Sequence, residues 1–287
     1  MSGAITGHLA TVTHVADLSP GLRRVTVSAT SLRDLAPSGS GGDAVKVFFP
    51  TPTRPEPGVP FLESPGVLAH PGGERSPMRT ISVAAFRRAR DRLTRSGISE
   101  LDLDFVMHDS EGVAGPWVKK ASPGALLGLL GLANAFVIAD GTRRLVALAD
   151  LSALPALLSV VEHLSAEIVV DVTLVEPDVR RLPPLPPRLQ HSAVVPDTVG
   201  AVTSMSRVLA TLPDFTESQF WFAGERALVR DIRRQARAAG VPRERAYASG
   251  YWRAGWDAPR LEKHEMSLFQ SGLAEGRSLA EIDLLSE

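Results

Sequence analysis

The residues best suited to chemistry lie between Phe220 and Gly255. An apolar run ends in Ala223-Gly224-Glu225 and passes directly into a basic helical pattern, which sets a sharp turn and a carboxylate at the end of a strand. A second apolar run ends in Tyr251-Trp252-Arg253, so two aromatic rings and a guanidinium follow another strand. Open parallel sheets bind ligands beyond the carboxyl ends of their strands. The spacing therefore predicts an α/β unit that handles a nucleotide at this edge.

Two segments in the first half of the chain also carry groups that suit a phosphate-bearing ligand. A strand begins with Arg79-Thr80-Ile81-Ser82 after a long loop, so an arginine lies at the start of that strand. His108 follows another strand and precedes the small-residue turn Gly112-Val113-Ala114-Gly115-Pro116-Trp117. Backbone N–H groups at such a turn into a helix suit a phosphate. A helix start without a ligand and a solvated strand-end histidine are the alternatives that the sequence leaves open.

Composition and motifs exclude several other chemistries. The 287 residues include no cysteine, which excludes disulfides, thiolate metal sites and iron–sulfur clusters. The seven histidines lack ligand spacing, so we expect no dedicated metal site. The run from Gly39 to Ala44 matches a dinucleotide fingerprint by letter, but it precedes a strand and opens no helix, so we interpret it as a loop. Any electrons that move through this protein must therefore be carried by an organic cofactor.

Net charge and local composition set expectations for partners and compartment. The net charge of -1 predicts neither a nucleic acid nor a membrane surface as partner. The first residues lack the basic start and apolar core of a signal peptide, so we expect a cytoplasmic protein. Residues 121–139 carry no charge, but the proline and glycines that interrupt them favour barrel strands over a membrane span.

The order of elements indicates two domains. Short alternating runs between turn signals favour a closed antiparallel β-barrel in the first half, with a long loop rich in proline and glycine at 50–78. After Gly141, strands alternate with helices, which predicts a parallel sheet with helices on its faces. We therefore divide the chain into a barrel domain at 5–140, a nucleotide-binding α/β domain at 141–256 and a helical tail at 257–287. The tail is expected to pack on the sheet or on a partner, so a homodimer is one interpretation of it.

Four segments resemble one protein family, in the right order. Residues Asp150 to Ala156 resemble the Asp-Glu-Thr-Ala-Leu-Pro-Ala segment of siderophore-interacting proteins, and Asp104 to Trp117 resembles their strand followed by a phosphate turn. Ala223-Gly224-Glu225 and the run from Gly250 to Gly255 match that family almost letter for letter. The likeness spans about residues 8–256.

The resemblance implies a fold and an activity. Siderophore-interacting proteins are flavoproteins of the ferredoxin-reductase type, with an antiparallel FAD-binding barrel followed by a parallel-sheet NAD(P)H-binding domain. They take hydride from NAD(P)H, or electrons from ferredoxin, onto FAD, reduce a ferric siderophore and release ferrous iron. The resemblance therefore implies an oxidoreductase that uses NAD(P)H and FAD to reduce ferric siderophores.

The resemblance also implies site residues by position. At the FAD and NAD(P)H sites these are Arg79, Ile81, Ser82, His108, Gly112, Ala114, Gly115, Trp117, Ser152 and Glu225. At the siderophore site they are Lys46, Tyr251, Trp252 and Arg253. The two cations would attract an anionic chelate, whereas the two aromatic residues are equally suited to be core anchors at the domain junction. No residue is assigned to catalysis or to a metal.

The flavin motif departs from the family pattern Arg-x-Tyr-Thr-x-Arg. Ile81 stands in place of the tyrosine, Ser82 of the threonine and Ala84 of the second arginine, while Gly115 replaces a serine in the phosphate turn. An aromatic contact on the flavin contributes about 0.5–1.5 kcal/mol, and an arginine on its pyrophosphate about 1.5–3 kcal/mol. Since about 1.4 kcal/mol is a factor of ten, losing both predicts FAD binding weaker by roughly 30- to 1,000-fold.

These departures support an alternative function. A homologue that binds little or no flavin would keep a cleft lined by Ile81 and Ala84. Such a cleft suits an apolar biosynthetic intermediate and a non-redox step such as a cyclisation. A carrier without catalysis fits the same losses.

Overall fold

The computed structural model describes residues 7–64, 67–73, 75–89, 98–108, 112–133, 136–256 and 258–277. The first two residues of the predicted barrel domain, 5 and 6, and residues 257 and 278–287 of the predicted tail lie outside the described residues.

A closed antiparallel barrel forms the first half of the chain, as predicted. Its elements are β1 (Gly7–Ser19), β2 (Leu22–Ser28), β3 (Ala44–Phe48), β6 (Met78–Arg87), β7 (Glu100–Val106), α1 (Ala114–Lys120) and β8 (Leu126–Ala133). Within the described residues the strands close in the order β1-β2-β7-β6-β3-β8. The apolar stretch at 121–139 thus contributes the barrel strand β8. No helix of the described chain is long and apolar enough to cross a membrane.

The long loop at 50–78 contains a hairpin that the sequence did not predict. The hairpin pairs β4 (Phe61–Ser64) with β5 (Val67–Ala69). Its strands are only four and three residues long, and proline and glycine surround them. Short strands of this kind leave no alternating pattern long enough to detect.

Charged residues are buried along one side of the barrel. Leu101, Leu103 and Phe105 pack in the barrel core, and the intervening Asp102 and Asp104 are buried as well. The Arg24 guanidinium donates to both oxygens of Asp104, at 2.7 and 2.8 Å. Burial still raises the pKa of Asp104 above its usual value. This ion pair holds β2 in its register against β7.

A parallel sheet with helices on its faces follows, as predicted. Its elements are β9 (Arg144–Asp150), α2 (Leu154–His163), β10 (Val169–Val175), β11 (Ala193–Val195), α3 (Thr198–Thr211), β12 (Ser218–Glu225), α4 (Arg226–Ala238) and β13 (Ala246–Trp252). The described strands are all parallel, in the order β11-β10-β9-β12-β13. Strand β11 was not predicted, because three residues carry no readable period.

The strand order places a topological switch point between β9 and β12. The chain runs outward from β9 through β10 to β11, then returns to β12 on the other side of β9. Loops that leave β9 and β12 therefore diverge to opposite faces and open a crevice at the carboxyl edge, where open α/β sheets bind ligands.

Backbone glycines bring the barrel and the sheet into close contact. Gly41 has φ +71, and a side chain there would collide with the backbone of α2 at Ser159. The glycine-rich run from Gly39 to Gly42 is thus a loop packed on α2, as interpreted from sequence. Leu22, at the start of β2, makes a second contact between the barrel and the α/β domain, because it belongs to the same buried core as α2.

The described part of the tail packs mainly on the barrel and not on a face of the sheet; its packing on a partner stays a prediction. Helix α5 (Ala258–Ala274) buries Met266, Phe269 and Leu273. They form one apolar cluster with the barrel residues Phe48, Met78 and Leu130. The exterior of β3, β6 and β8 is apolar at these positions, so it supplies the partner surface that α5 needs.

Candidate functional site

The candidate site lies at the carboxyl edge of the parallel sheet, around the switch point. Asp150 ends β9, Glu225 ends β12 and Trp252 ends β13. The three strands are neighbours, with Ala223 opposite Ala149 and Gly224 opposite Gly250. The polar side chains that follow these strands therefore converge.

Asp150 is the centre of this convergence. Its Oδ1 accepts hydrogen bonds from the Ser152 backbone N at 2.9 Å, the Ser152 hydroxyl at 2.5 Å and the Ala153 backbone N at 3.2 Å. Its Oδ2 accepts from the Glu225 backbone N at 2.8 Å and from the Trp252 indole Nε1 at 2.7 Å. One carboxylate thus joins the start of α2 to the ends of β12 and β13.

Glu225 caps the helix that follows β12. Its Oε2 accepts from the Leu228 backbone N at 2.9 Å and caps α4, while its Oε1 accepts from the Ala254 backbone N at 3.2 Å. A carboxylate at a helix N-terminus is stabilised both by the free N–H groups and by the helix dipole. The loop after β13 is thereby fixed to the end of β12.

Gly224 is required by the close approach of Asp150. Its φ is +142°, and an added Cβ would lie 2.6 Å from Asp150 Oδ2. A side chain at this position would displace the carboxylate from its place between β9 and β12. This explains in physical terms why a glycine precedes Glu225.

Beyond β13 the aromatic and basic residues have different environments. Tyr251 is half-buried and packs on the sheet core, whereas the Trp252 side chain is 41% exposed. Arg253 is exposed and places its guanidinium 4.4 Å from the ring centroid of Trp256. Of the three residues predicted here, Tyr251 is thus a core anchor, while Trp252 and Arg253 remain accessible.

Helix α5 contacts this edge through a histidine. Arg226 Nη1, at the start of α4, lies 3.3 Å from His264 Nε2. The His264 ring also packs edge-on against Trp256, with centroids 5.3 Å apart. Burial, and then the charges of Arg226 and Arg253, lower the pKa of His264.

On the barrel side, the β3–β6 pair carries the predicted flavin residues. Ile81 lies opposite Val45 and packs against the barrel core. Ser82 is buried on the alternate face, and α2 lies against β6. Arg79 is half-buried and donates through Nη1 to the Met78 carbonyl at 2.6 Å.

Lys46 was predicted to attract an anionic chelate, but its side chain is buried in the structure. Its side chain lies opposite Thr80, and Nζ donates to the Thr80 hydroxyl at 2.7 Å. The same ammonium lies 5.7 Å from the ring centroid of Phe269 on α5. Lys46 is 8% exposed, so α5 stands between this charge and solvent.

The predicted phosphate turn leads into α1. Gly112 and Gly115 are buried, and Ala114 begins the helix. Val113, at the N-cap position, has no side-chain oxygen with which to cap the helix. His108 is exposed just beyond β7.

Trp117, on α1, belongs to the barrel core. Its ring meets Phe49 edge-on with centroids 5.6 Å apart, and the Phe105 ring at 6.0 Å. Trp117 therefore packs in the barrel core, and its predicted contact with a cofactor stays a prediction.

Family models match both halves of this structure. Residues 11–135 match the siderophore-interacting FAD-binding domain, and residues 142–255 match the siderophore-interacting protein domain. The chain belongs to the siderophore-interacting protein family. Binding of flavin by the barrel is a property of this family, as the description of its first domain states.

Named relatives and solved structures agree with the family. The chain is 28% identical over 245 residues to the ferric vibriobactin reductase of Vibrio cholerae, which covers 83% of this chain and 86% of the relative. It is 26% identical over 255 residues to the NADPH-dependent ferric-chelate reductase of Escherichia coli, with 85% and 92% covered. The crystal structure of a siderophore-interacting protein from Aeromonas hydrophila superposes with a TM-score of 0.70 at 27% identity, covering 92% of this chain and 99% of that one.

Asp150 is the residue that sequence reasoning left out of the site. Three of the predicted residues, Ser152, Glu225 and Trp252, meet at its carboxylate. The sequence did contain a signal for Asp150, because it is the first residue of the Asp150–Ala156 segment that matches the family. Only Ser152 of that segment was assigned to the site. Leu151, which replaces a family glutamate, is 5% exposed and packs in the core shared with Leu22.

Proposed function

We propose that this siderophore-interacting protein is an oxidoreductase that uses NAD(P)H and FAD to reduce ferric siderophores. The observation that carries the proposal is the hydrogen-bonded edge around Asp150, Glu225 and Trp252 at the switch point of the sheet. Relatives that span most of the chain are named as ferric-chelate reductases, which supports the same activity here.

The division of labour follows the domains. We place the flavin on the barrel domain, 5–140, and NAD(P)H on the α/β domain, 141–256. Of the tail at 257–287, helix α5 packs on the barrel. The limits of the two family matches support this division. FAD, when bound, accepts hydride and passes on single electrons, so one NAD(P)H would reduce two ferric chelates to the ferrous state and release one proton. Because NAD(P)H is a cytoplasmic reductant, we place the protein in the cytoplasm.

The residues present fit an FAD only partly. Arg79 and the hydroxyl of Ser82 on β6 are suited to the cofactor, as are the small residues Gly112, Ala114 and Gly115 before and in α1, with His108 and Trp117 nearby in sequence. Ile81 supplies no aromatic face, and its side chain already packs in the barrel core. We therefore propose that FAD is held weakly and exchanges with solution.

The chain offers an accessible cation for the substrate. Ferric siderophores are commonly anionic chelates, and Arg253, which follows Trp252 in the chain, is exposed and places its guanidinium against the Trp256 ring. Tyr251 supports this loop from the core. Lys46 would contribute charge only through a shift of α5, because Phe269 lies against it.

On the NAD(P)H side, Ser152 and Glu225 are the proposed cofactor contacts. Both are held in place by hydrogen bonds at the switch point, Ser152 to Asp150 and Glu225 to Leu228. These hydrogen bonds support the placement of both side chains at the NAD(P)H side of the site.

A second candidate function is favoured by one observation: neither Ile81 nor Ala84 on β6 offers an aromatic ring or a cation to a flavin. Because Ile81 packs against the barrel core, the cleft would be lined at this point by Ala84 and not by Ile81 as predicted. A flavin-free homologue would use the cleft for an apolar biosynthetic intermediate and a non-redox step such as a cyclisation. A homodimer also stays a prediction, although α5 packs on the barrel of its own chain.

The visible spectrum of the purified protein, before and after addition of FAD, separates these functions. The reductase predicts flavin absorbance that grows on titration with FAD, and oxidation of NADH or NADPH when a ferric chelate is added. Ser165→Ala, an exposed change distant from the edge, serves as the matched control. A protein that binds no FAD at high concentration and oxidises neither nucleotide contradicts the reductase and leaves the non-redox function.

A further inference from the structure

We infer that Arg181 is a positioning residue that sets the orientation of the barrel relative to the sheet, and thereby how the flavin side of the site faces the NAD(P)H side. The consequence for the reaction rests on the proposed function, whereas the contacts themselves involve no cofactor. Arg181 lies on the α/β domain, in the short 3₁₀ turn Val179–Arg181 that follows β10. No sequence motif had marked this residue.

Hydrogen bonds form a closed ring across the junction of the two domains. The hydroxyl of Ser19, at the end of β1, donates to the Arg181 carbonyl at 2.5 Å. Arg181 Nη2 donates to the carbonyl of Met107, just beyond β7, at 3.1 Å. The Met107 backbone N donates to the Gly21 carbonyl at 2.8 Å, and the Gly21 backbone N donates to the Ser19 hydroxyl at 3.2 Å. One residue of the α/β domain thus holds two separate segments of the barrel.

Glu176 ties the Arg181 guanidinium to the sheet. It directly follows β10 and is 3% exposed, and its Oε1 lies 3.4 Å from Arg181 Nη1. The same oxygen accepts from the Asp178 backbone N at 3.1 Å. A planar guanidinium donates in fixed directions, so an arginine held by Glu176 on one side presents Nη2 to Met107 in a defined orientation. The end of a sheet strand is thereby linked to the end of the barrel strand that precedes His108.

The apolar part of this junction leaves the orientation to directional contacts. Leu22 of the barrel and Leu151 of the α/β domain belong to one buried core. Apolar contacts are not directional, so we attribute the choice of orientation to the hydrogen bonds of the ring. The two backbones approach closely there, because an added Cβ at Gly21 would lie 2.5 Å from the Arg181 carbonyl oxygen.

The orientation matters because the proposed reductase holds its two cofactors on different domains. A rotation of the barrel relative to the sheet would separate the groups that must meet, and a misplacement of about 1 Å costs on the order of 100-fold in rate. The proposed nucleotide contacts lie on the α/β domain alone. We therefore expect the loss of Arg181 to lower kcat and to leave KM for the nucleotide unchanged.

Distances between the domains test this inference in the full chain without cofactor. The sequence has no cysteine, so spin labels can be attached at Lys120→Cys on α1 and Arg207→Cys on α3, both exposed, and their separation measured by pulsed EPR. Arg181→Ala should broaden the distribution of distances. Arg180→Ala is the matched control and should leave it unchanged, because Arg180 lies in the same turn but is 84% exposed and donates to Asp178.

A second variant opens the ring from the barrel side. Ser19→Ala should also broaden the distribution, and it keeps the inference testable if Arg181→Ala, which leaves the buried Glu176 carboxylate without its guanidinium, does not fold. With FAD and a ferric chelate added, both variants should lower kcat for oxidation of NADH or NADPH about tenfold or more. KM for the nucleotide should not change.

The possible results separate the inference from the proposed function. Unchanged distances in both variants overturn the inference and leave the reductase function standing. Broadened distances with an unchanged kcat overturn it as well, because the orientation would then not serve the reaction. If the wild type oxidises neither NADH nor NADPH, the proposed function fails, whereas the distances still decide whether Arg181 sets the orientation of the domains.

Discussion

The helix starts on the two sides of the molecule are built differently. On the barrel, α1 begins after Val113, which offers no side-chain oxygen. On the sheet, Glu225 caps α4 by accepting from the Leu228 backbone N, and Asp150 accepts from the Ser152 and Ala153 backbone N–H groups in the turn before α2. Helix α1 thus has no side-chain cap, whereas carboxylates hold both turns at the sheet edge.

The two sides also differ in how far they follow the family. At the sheet edge, Gly224 and Glu225 keep the family letters, and their contacts are complete within the chain. On the barrel, Ile81 and Ala84 replace residues that would hold the flavin. The proposal that FAD is held weakly rests on this difference.

The largest expected effect comes from Gly224→Ala. The residue has φ +142°, and the new Cβ would lie 2.6 Å from Asp150 Oδ2, so backbone strain and loss of the carboxylate position act together. We expect a loss of about 2–4 kcal/mol in the free energy of unfolding, measured by urea denaturation. Gly255→Ala is the control, since it has φ +76° but open space around it. Equal losses in the two variants would show that the sheet edge does not depend on Asp150.

A smaller but still large effect is expected on the barrel from Ala84→Arg, which restores the second arginine of the flavin motif. A charge-assisted bond to the FAD pyrophosphate contributes about 1.5–3 kcal/mol, so we expect FAD binding tighter by roughly 10- to 150-fold. The measurement is a titration followed by flavin fluorescence. Ala84→Met controls for side-chain length without charge. If the Arg and Met variants bind FAD alike, residue 84 does not contact the flavin pyrophosphate.

Ser152→Ala tests the sheet side of the comparison, and we expect a moderate effect on nucleotide binding. It removes one donor to Asp150 Oδ1 and leaves the backbone donors Ser152 N and Ala153 N in place. A loss of about 1 kcal/mol in positioning predicts a KM for NADH or NADPH raised about fivefold. Ser165→Ala, on the exposed loop after α2, should leave KM unchanged. A fall in kcat at constant KM would instead place Ser152 in the chemical step.

The smallest effect is the pH dependence that His264 gives to the contact between α5 and the sheet edge. Its folded pKa lies below the usual 6.5, so the unfolded chain binds more protons between these two values. Stability is therefore lost as pH falls from 6.5 through the folded pKa, and the loss is small because the group is partly exposed to solvent. His264→Gln should flatten this slope relative to the exposed His191→Gln, as followed by thermal unfolding at several pH values. An identical slope in both variants would remove His264 from the contact.

Local patterns were enough for much of this site. Glu225 and Trp252 could be placed at one edge because the carboxyl ends of parallel strands lie together. Gly224 added a second signal, since a glycine at that point indicates the sharp turn that ends a strand. Asp150 was missed because its partners Glu225 and Trp252 lie 75 and 102 residues away along the chain. Nothing near Asp150 in sequence shows that its second oxygen is occupied.

Sequence alone determined the two-part architecture, the family and the loss of the flavin tyrosine and arginine, since strand periods, turn residues and motif letters are all local. Tertiary structure alone decided that Lys46 lies beneath Phe269, that Ile81 packs in the barrel core and that Asp150 links three strand ends. Burial and convergence depend on which distant surfaces pack together, and packing of the whole chain is what sets the surroundings of each charge.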